Sequence, residues 1–183
     1  QEGLQTNSAE LTVAGKLNEP AEVTVNGAAV GLDAQQGFSR VIGLEEGANA
    51  VNVSARDRAG NTATATRSVH LDTVAPFLPD IGLIQISEPV DGVVTVSGAP
   101  LAAEPGTVVR VTNRRTGATV TVSVVADGSF NIQIAALKGD QIDIAIVDGA
   151  GNASGDLETS VPGEEDADIP PDPAEVAPSI DPT

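Results

Sequence analysis

The chain contains no cysteine, methionine, tryptophan or tyrosine, and phenylalanine occurs only three times in 183 residues. Without cysteine, neither a disulfide framework nor a thiolate metal site can form. Aromatic residues make up only 2% of the chain, so its cores must be built from Val, Ile, Leu and Ala. The β-branched members of that set favour sheets over helices. The lack of Trp and Tyr also argues against a carbohydrate site that stacks sugar rings on such side chains.

Basic residues are scarce as well. Lys and Arg together number 9 against 26 Asp and Glu, which gives a formal net charge of −17. Nucleic acids and anionic lipids need clustered basic side chains, so neither is expected as a partner. No apolar run approaches the roughly 20 residues that a membrane-spanning helix needs, and we expect no membrane insertion. Strong acidity is compatible with solubility and with divalent-cation binding.

The sequence offers no catalytic constellation. His70 is the single histidine and lies in an alternating segment, and no glycine-rich loop opens a helix. A nucleophile, a base and a group that orients the base cannot be assembled from motifs here, so we predict that the chain is not an enzyme. Because the chain begins at Gln1 and contains no methionine, we expect a processed chain or a fragment of a longer one.

Apolar and polar residues alternate in short runs bounded by Gly, Asn, Asp and Pro, which predicts β-strands. The dipeptide Asn26-Gly27 closes one such run and is the strongest short signal for a β-hairpin. Six or seven short strands within about 65 residues have the spacing of a small β-sandwich. The strands expected in the first half are residues 11–14, 22–25, 37–41, 50–56 and 62–70.

The second half of the chain repeats the plan of the first. The run ending at Gly98 matches the run ending at Gly15, and Asn152 matches Asn61. The offset between matched positions grows from 83 at the glycines to 91 at the asparagines, which places about eight extra residues in the second copy. A repeat of this length indicates two copies of one structural unit.

The predicted fold is all-β: two tandem immunoglobulin-like β-sandwich modules plus a disordered, acidic, proline-rich C-terminal tail. The predicted bounds are residues 1–76 for module one, 77–83 for the connector, 84–162 for module two and 163–183 for the tail. Pro76 and Pro79 restrict the chain to extended conformations, so we expect the modules to sit end to end with limited freedom.

The three phenylalanines have separate expected roles. Phe38 and Phe130 occupy equivalent strand starts and should anchor the two cores. Phe77 lies between the two prolines and should pack in the joint between the modules. Residues 81–87 alternate and should supply the first strand of module two.

The tail carries seven acidic residues, five prolines and no basic residue. Such a segment cannot bury enough apolar surface to offset its ordering entropy, which predicts disorder. Two interpretations remain open for Arg110, Arg114 and Arg115, which lie in a hairpin of module two. They bind the acidic tail of the same or a neighbouring chain, or they form an ordinary solvated hairpin tip.

The motifs resemble those of a known family. Module one, with Ala55-Arg56-Asp57-Arg58-Ala59-Gly60-Asn61 and Leu71-Asp72-Thr73-Val74-Ala75-Pro76, resembles bacterial Ig-like repeats of the glucodextranase B-domain type. Module two, with Asp127-Gly128-Ser129-Phe130 and Asp148-Gly149-Ala150-Gly151-Asn152, is similar to the Ig-like repeats of large bacterial surface adhesins. The resemblance implies a sandwich fold and an extracellular or cell-surface location. Such repeats serve as spacers, stalks, adhesive tips or accessory domains of enzymes.

The Asp-x-Ala-Gly-Asn turns have two interpretations. In the first, the aspartate accepts backbone N–H bonds across the turn, the glycine takes φ > 0 and the asparagine bonds locally. In the second, the aspartates bind calcium, which takes 6–8 oxygen ligands. An intramolecular Lys–Asn isopeptide bond, with Lys16 or Lys138, is a further alternative. The candidate calcium ligands are Asp57, Asp72, Asp80, Asp127 and Asp148.

The function that these features favour is a non-catalytic extracellular structural or adhesive module, the stalk or spacer of a bacterial surface or secreted protein. One alternative is a subunit of a self-assembling fibre that uses the tail or an edge strand between subunits. Another is an accessory domain of a secreted carbohydrate-active enzyme. The expected partners are other domains of the same chain or neighbouring subunits, in a homo-oligomer or filament.

Overall fold

The computed structural model describes residues 3–163, so the predicted tail lies outside the described residues except for Gly163. The fold class predicted from the sequence is confirmed, because the described chain consists of strands with a single short 3-10 turn. The strands of module one are β1 (Leu4–Thr6), β2 (Glu10–Lys16), β3 (Glu22–Val25), β4 (Ala28–Val30), β5 (Gly37–Gly43), β6 (Gly47–Arg56) and β7 (Thr62–Leu71). The strands of module two are β8 (Ile84–Ile86), β9 (Val93–Gly98), β10 (Val108–Asn113), β11 (Thr119–Ser123), β12 (Phe130–Ala135), β13 (Gln141–Val147) and β14 (Leu157–Ser160).

Each module is built from two sheets of unequal size. Module one has a five-stranded sheet in the order β1-β7-β6-β3-β4 and a two-stranded sheet of β2 and β5. Module two has a four-stranded sheet in the order β11-β10-β13-β14 and a three-stranded sheet in the order β12-β9-β8. The strands β2 to β7 therefore correspond to β9 to β14 in order and pairing. The first strand differs: β1 pairs with β7 in parallel, whereas β8 pairs with β9 antiparallel.

The hairpin predicted at Asn26-Gly27 is confirmed. It joins β3 to β4, and both residues have positive φ, 47° at Asn26 and 78° at Gly27. Positive φ at both central residues is the requirement of a type I′ turn, whose twist matches that of the flanking strands. Asn26 also ties the turn to the sheet, because its Oδ1 accepts the Asn52 N–H at 2.8 Å.

The alternating pattern of the strands produces the buried face of module two. The inward residues of β9, β10, β12 and β13 are mostly aliphatic, and most have an exposed fraction of 2% or less. Phe130 lies in this core, as predicted, at 5% exposure, and Phe38 is half-buried in the equivalent place. Each phenylalanine faces a glycine directly across the ladder, Gly98 opposite Phe130 and Gly15 opposite Phe38. A Cβ on Gly15 would come within 2.6 Å of the Phe38 ring, so the ring occupies the space that a side chain would take.

Two expectations about the connector are wrong. Phe77 does not pack in the joint, because its exposed fraction is 88%. Residues Ile81–Leu83 form a 3-10 turn rather than a strand, since the Asp80 carboxylate accepts the Gly82 N–H at 2.9 Å and the Asp80 carbonyl accepts the Leu83 N–H. The strand begins only at Ile84. No helix in the described residues is long and apolar enough to cross a lipid bilayer.

Candidate functional site

The first Asp-x-Ala-Gly-Asn turn connects β6 to β7. The Asp57 carboxylate accepts the Asn61 backbone N–H at 2.8 Å with Oδ1 and the Asn61 side-chain amide at 2.7 Å with Oδ2. The Gly60 N–H bonds back to the Asp57 carbonyl, and Gly60 has φ of 92°. The turn interpretation of this motif is confirmed at every position that it names.

The second turn follows β13 and repeats this geometry with more bonds. Asp148 Oδ1 accepts the backbone N–H groups of Ala150, Gly151 and Asn152 at 2.9, 2.8 and 2.9 Å. Asp148 Oδ2 accepts the Asn152 side-chain amide at 2.8 Å. Gly151 has φ of 95°, a conformation that glycine adopts without a steric penalty.

Hydrogen bonding holds both turn carboxylates in the ionised form. The Asn61 side chain, with backbone N–H groups of the same turn, lowers the pKa of Asp57 below its ordinary value. Burial acts to raise the pKa of Asp148, but the bonds from Asn152, Gly151 and Ala150 outweigh it and the pKa is lowered. Both carboxylates are therefore ionised at neutral pH, the form that accepts these bonds.

The second turn also contacts module one. The Asn152 Nδ2 donates to the backbone carbonyl of Asp72 at 2.8 Å, while it also donates to Asp148 within its own turn. Asp72 follows directly after β7, so this bond joins the turn of module two to the last residues of module one. The Gln5 side chain of β1 lies against Gly149 of the same turn, where a Cβ would displace it. Within residues 3–163, Asn61 donates only to its own turn.

The five candidate calcium ligands serve first as turn acceptors. Asp57 and Asp148 accept bonds as described above, and Asp72, Asp80 and Asp127 each accept the N–H of the residue two positions later. The bond from Ser129 lowers the pKa of Asp127. Within residues 3–163, no three Asp, Glu or His side chains are grouped so that they could hold a metal ion. Calcium binding by these five aspartates, which come from both modules, stays a prediction.

The arginines of module two are engaged inside the module. Arg114 Nε donates to Asp143 at 2.7 Å, and its Nη2 donates to Glu158, which together raise the pKa of the guanidinium. Arg115 Nη2 donates to Asp140 at 2.9 Å. Arg110 makes a single long contact with Asp156, at 4.0 Å. The proposed contact of this cluster with the tail lies outside the described residues.

A buried polar network at this end of module two was not predicted from the sequence. Asn113 is fully buried, and its Nδ2 donates to the Ala135 carbonyl at 3.0 Å and to Asp140 Oδ2 at 2.8 Å. Asp140 Oδ2 also accepts the Leu137 N–H at 2.9 Å. The Arg115 bond is the largest cause of the strongly lowered pKa of Asp140. The sequence signal for this network is the strand Val108–Asn113, which ends in Asn directly before Arg114 and Arg115.

Residues considered for chemistry lie apart from one another. His70 is exposed on β7, and Lys16 and Lys138 are both exposed, whereas an isopeptide bond needs a buried lysine beside a carboxyl group.

Residues 1–73 match the family model described as glucodextranase, domain B, and residues 87–163 match that described as a bacterial Ig domain. Module one is therefore similar to glucodextranase domain B, and module two is similar to the bacterial Ig domain. The resemblance drawn from the motifs is confirmed for both halves.

Solved structures with a TM-score of 0.55 share this fold. The fibronectin(III)-like modules of Clostridium thermocellum CbhA are 14% identical, with 87% of each chain covered and a TM-score of 0.55. The FN1-FN3 domains of chicken CNTN1 are 16% identical with a TM-score of 0.55, and the alignment covers 88% of this chain and 65% of the CNTN1 fragment. A Ca²⁺-stabilized adhesin of an Antarctic bacterium aligns at 22% identity, 87% and 45% coverage and a TM-score of 0.36. No curated protein matches the chain.

Proposed function

We propose that the tandem is a non-catalytic structural or adhesive module of an extracellular bacterial protein, where it acts as a stalk or spacer. The observation that carries this proposal is the side chain of Asn152, which donates at once to Asp148 in its own turn and to the Asp72 carbonyl of module one. A stalk must hold its modules in a defined relative orientation, and we expect this amide to restrain the two modules relative to each other.

Three features lie at the joint between the modules. The turn of module two bonds the backbone of module one, the Gln5 side chain lies against that turn, and the covalent connector contributes Pro76 and Pro79. Two prolines in a short connector reduce the number of backbone conformations that bending could use. We expect the polar contact to favour one angle between the modules, and the connector to limit departures from it.

The matched asparagines provide a test with an internal control. Asn152→Ala removes one bond within its turn and the bond to Asp72, whereas Asn61→Ala removes only the equivalent bond within its turn. In weakly aligning medium, residual dipolar couplings of the unmodified chain should fit one alignment tensor for both modules. Asn152→Ala should require two tensors, and Asn61→Ala should keep one.

The opposite result is equally clear. If the unmodified chain already requires two unrelated tensors, the modules reorient independently and a restrained stalk is refuted. If Asn61→Ala separates the tensors as Asn152→Ala does, the effect comes from the turn itself and the contact with Asp72 has no orienting role. We propose the neighbouring domains of a longer chain, or neighbouring subunits, as the partners of such a stalk.

A further inference from the structure

The two modules differ in the hairpin that ends the larger sheet of each. Within residues 3–163, β11 of module two pairs only with β10, and the equivalent β4 of module one pairs only with β3. β11 has five residues, whereas β4 has three. The β3–β4 hairpin spans residues 22–30 and the β10–β11 hairpin spans residues 108–123, so this hairpin holds most of the extra residues of the second copy.

The register identifies the main-chain groups at the outer edge of β11. The Val124 N–H donates to the Thr107 carbonyl at 2.9 Å, so the even-numbered residues of this strand bond β10. Along an antiparallel ladder, the residues between them direct their N–H and C=O groups to the opposite side. The residues that present these groups at the outer edge are Thr119, Thr121 and Ser123.

The corresponding edge of module one is protected by an arginine. Arg40 Nη1 donates to the Ala29 carbonyl, in the middle of β4, at 3.3 Å. Arg40 lies opposite Val13 in the ladder, and the residue opposite the equivalent Val96 is Ile132. An isoleucine side chain has no hydrogen-bond donor, so the longer edge in module two lacks this protection.

The sequence of β11 and its flanks favours pairing with another strand. Charged side chains and prolines are the common protection of edge strands. The run from Ala118 to Ala126 contains no charge, proline or glycine, and six of its residues are β-branched. Such residues favour extended strands, so nothing in this run opposes the addition of a strand.

β11 is also complementary to itself. An antiparallel second copy centred on Thr121 places this residue opposite its own equivalent, and Thr119 opposite the second copy's Ser123. All of these residues direct their main-chain groups outward, so each facing pair can exchange two N–H···O=C bonds. Hydroxyl side chains face hydroxyl side chains, a favourable cross-strand combination. A two-fold axis generates this arrangement, because each contact then occurs twice.

We propose that the outer edge of β11 is a self-association site, at which two copies of the chain join their four-stranded sheets across a two-fold axis. The tail is less suited to this edge, because its longest run without proline, residues 163–169, carries four acidic residues. A second β11 brings no charge to the edge. This lateral contact goes beyond the proposed stalk function and does not depend on the bond between Asn152 and Asp72.

The association should be weak and should strengthen with salt. One short edge buries far less than the roughly 1,200 Å² at which stable interfaces begin, so we expect a Kd of about 10⁻⁴ to 10⁻³ M. Each chain has a formal net charge of −17, and the two copies therefore repel each other. Raising the salt concentration from about 0.15 M to about 0.5 M screens this repulsion and should lower the Kd.

The test uses the full 183-residue chain. Sedimentation equilibrium with interference optics, which need no Trp or Tyr, measures the Kd in about 0.5 M salt. At a total chain concentration of about three times Kd, about one third of the chains remain monomeric by mass action. Amide exchange at Thr121, followed by NMR, should then be about threefold slower than in dilute solution, because only the monomer exposes this N–H. The amides of β4 should change little.

Charge variants at the centre of the edge test the register. Thr121→Lys and Thr121→Glu each place like charges opposite each other across the axis, so each variant alone should stay monomeric. An equal mixture of the two should associate, because opposite charges then face each other, and this recovery also shows that both variants fold. Ser160→Lys is the matched control, since it adds the same charge at the other end of the sheet and should associate like the unmodified chain.

Four results would overturn the proposal. The first is a chain that stays monomeric at about 2 mM in about 0.5 M salt. The second is concentration-dependent protection at β4 or β14 instead of β11, and the third is a mixture of the two charge variants that does not associate. The fourth is protection of Thr121 that is independent of concentration and disappears when residues 164–183 are removed, which would make the tail the occupant.

Discussion

The largest single stability effect that we predict comes from removing the Asp140 carboxylate. This side chain is only 5% exposed and lies where the loop after β12 meets the end of β10. Its Oδ2 accepts N–H groups of Leu137, Asn113 and Arg115 at 2.9, 2.8 and 2.9 Å. Asp140→Ala therefore removes the shared acceptor of three donors at once.

The magnitude follows from what each donor can do afterwards. The Arg115 side chain is 52% exposed, so water can solvate its guanidinium in the variant. Loss of its bond to Asp140 therefore changes the unfolding free energy little. Asn113 is fully buried and keeps only its bond to the Ala135 carbonyl. One buried amide hydrogen left unpaired costs about 1–3 kcal/mol, and loss of the bond from the Leu137 N–H costs about 1 kcal/mol more. We expect module two to lose about 2–4 kcal/mol of unfolding free energy in the Asp140→Ala variant.

The assay must report each module separately, and the absence of Trp and Tyr rules out their fluorescence as a probe. Urea unfolding followed by isoleucine methyl NMR reports module two through Ile132, Ile134, Ile142, Ile144 and Ile146. Asp127→Ala is the matched control, because it removes an exposed turn carboxylate and should leave the unfolding free energy of module two nearly unchanged.

The pH dependence gives an independent check. The pKa of Asp140 is lower in the folded state than its unfolded value of about 3.9, chiefly because of Arg115. A lowered folded-state pKa contributes stability above about pH 4, and that contribution is lost as the pH falls further. The difference between the unmodified chain and Asp140→Ala should therefore shrink below pH 4. A loss under 0.5 kcal/mol at neutral pH, or a pH-independent loss, would refute this account.

Three other outcomes are expected. Gly98→Ala places a Cβ against the Phe130 ring and 2.8 Å from the Ala102 Cβ, so thermal unfolding should show module two destabilised by about 1–3 kcal/mol. Gly15→Ala should cost less, because the half-buried Phe38 ring can move toward solvent, and equal losses would contradict the difference in packing. If calcium binds the turn aspartates, the unfolding free energy in calcium at 100 times Kd should exceed that in excess EDTA by about 2.7 kcal/mol. Identical thermal melts in the two solutions would show that calcium does not stabilise the chain.

Local signals predicted most of the fold. Alternation located the longer strands, and the turn residues located the hairpin at Asn26-Gly27, because both signals act over a few neighbouring residues. The repeat also predicted the equivalence of the two Asp-x-Ala-Gly-Asn turns. The 3-10 turn at Ile81–Leu83 was missed because its apolar residues alternate like a strand, whereas the cap from Asp80 decides the conformation.

Features that depend on distant residues could not be predicted in this way. The parallel pairing of β1 with β7 joins residues about 65 positions apart, and nothing in the short run Leu4–Thr6 specifies which sheet it joins. Asn113 and Asp140 resemble ordinary turn residues until the fold brings them together. The bond between Asn152 and Asp72 spans 80 positions, and no local motif distinguishes Asn152 from Asn61.

These long-range features are also where the two repeats differ, and so they carry the functional argument. The two turns contain the same residue types, yet within the described residues only Asn152 bonds the other module. Equivalent strands have one register, yet only β9 has a strand along its outer edge in the described residues. The aspartate and asparagine side chains make the same bond to each other in both copies, so this bond does not distinguish the two modules. The joint between the modules is therefore the feature on which the proposed stalk function rests.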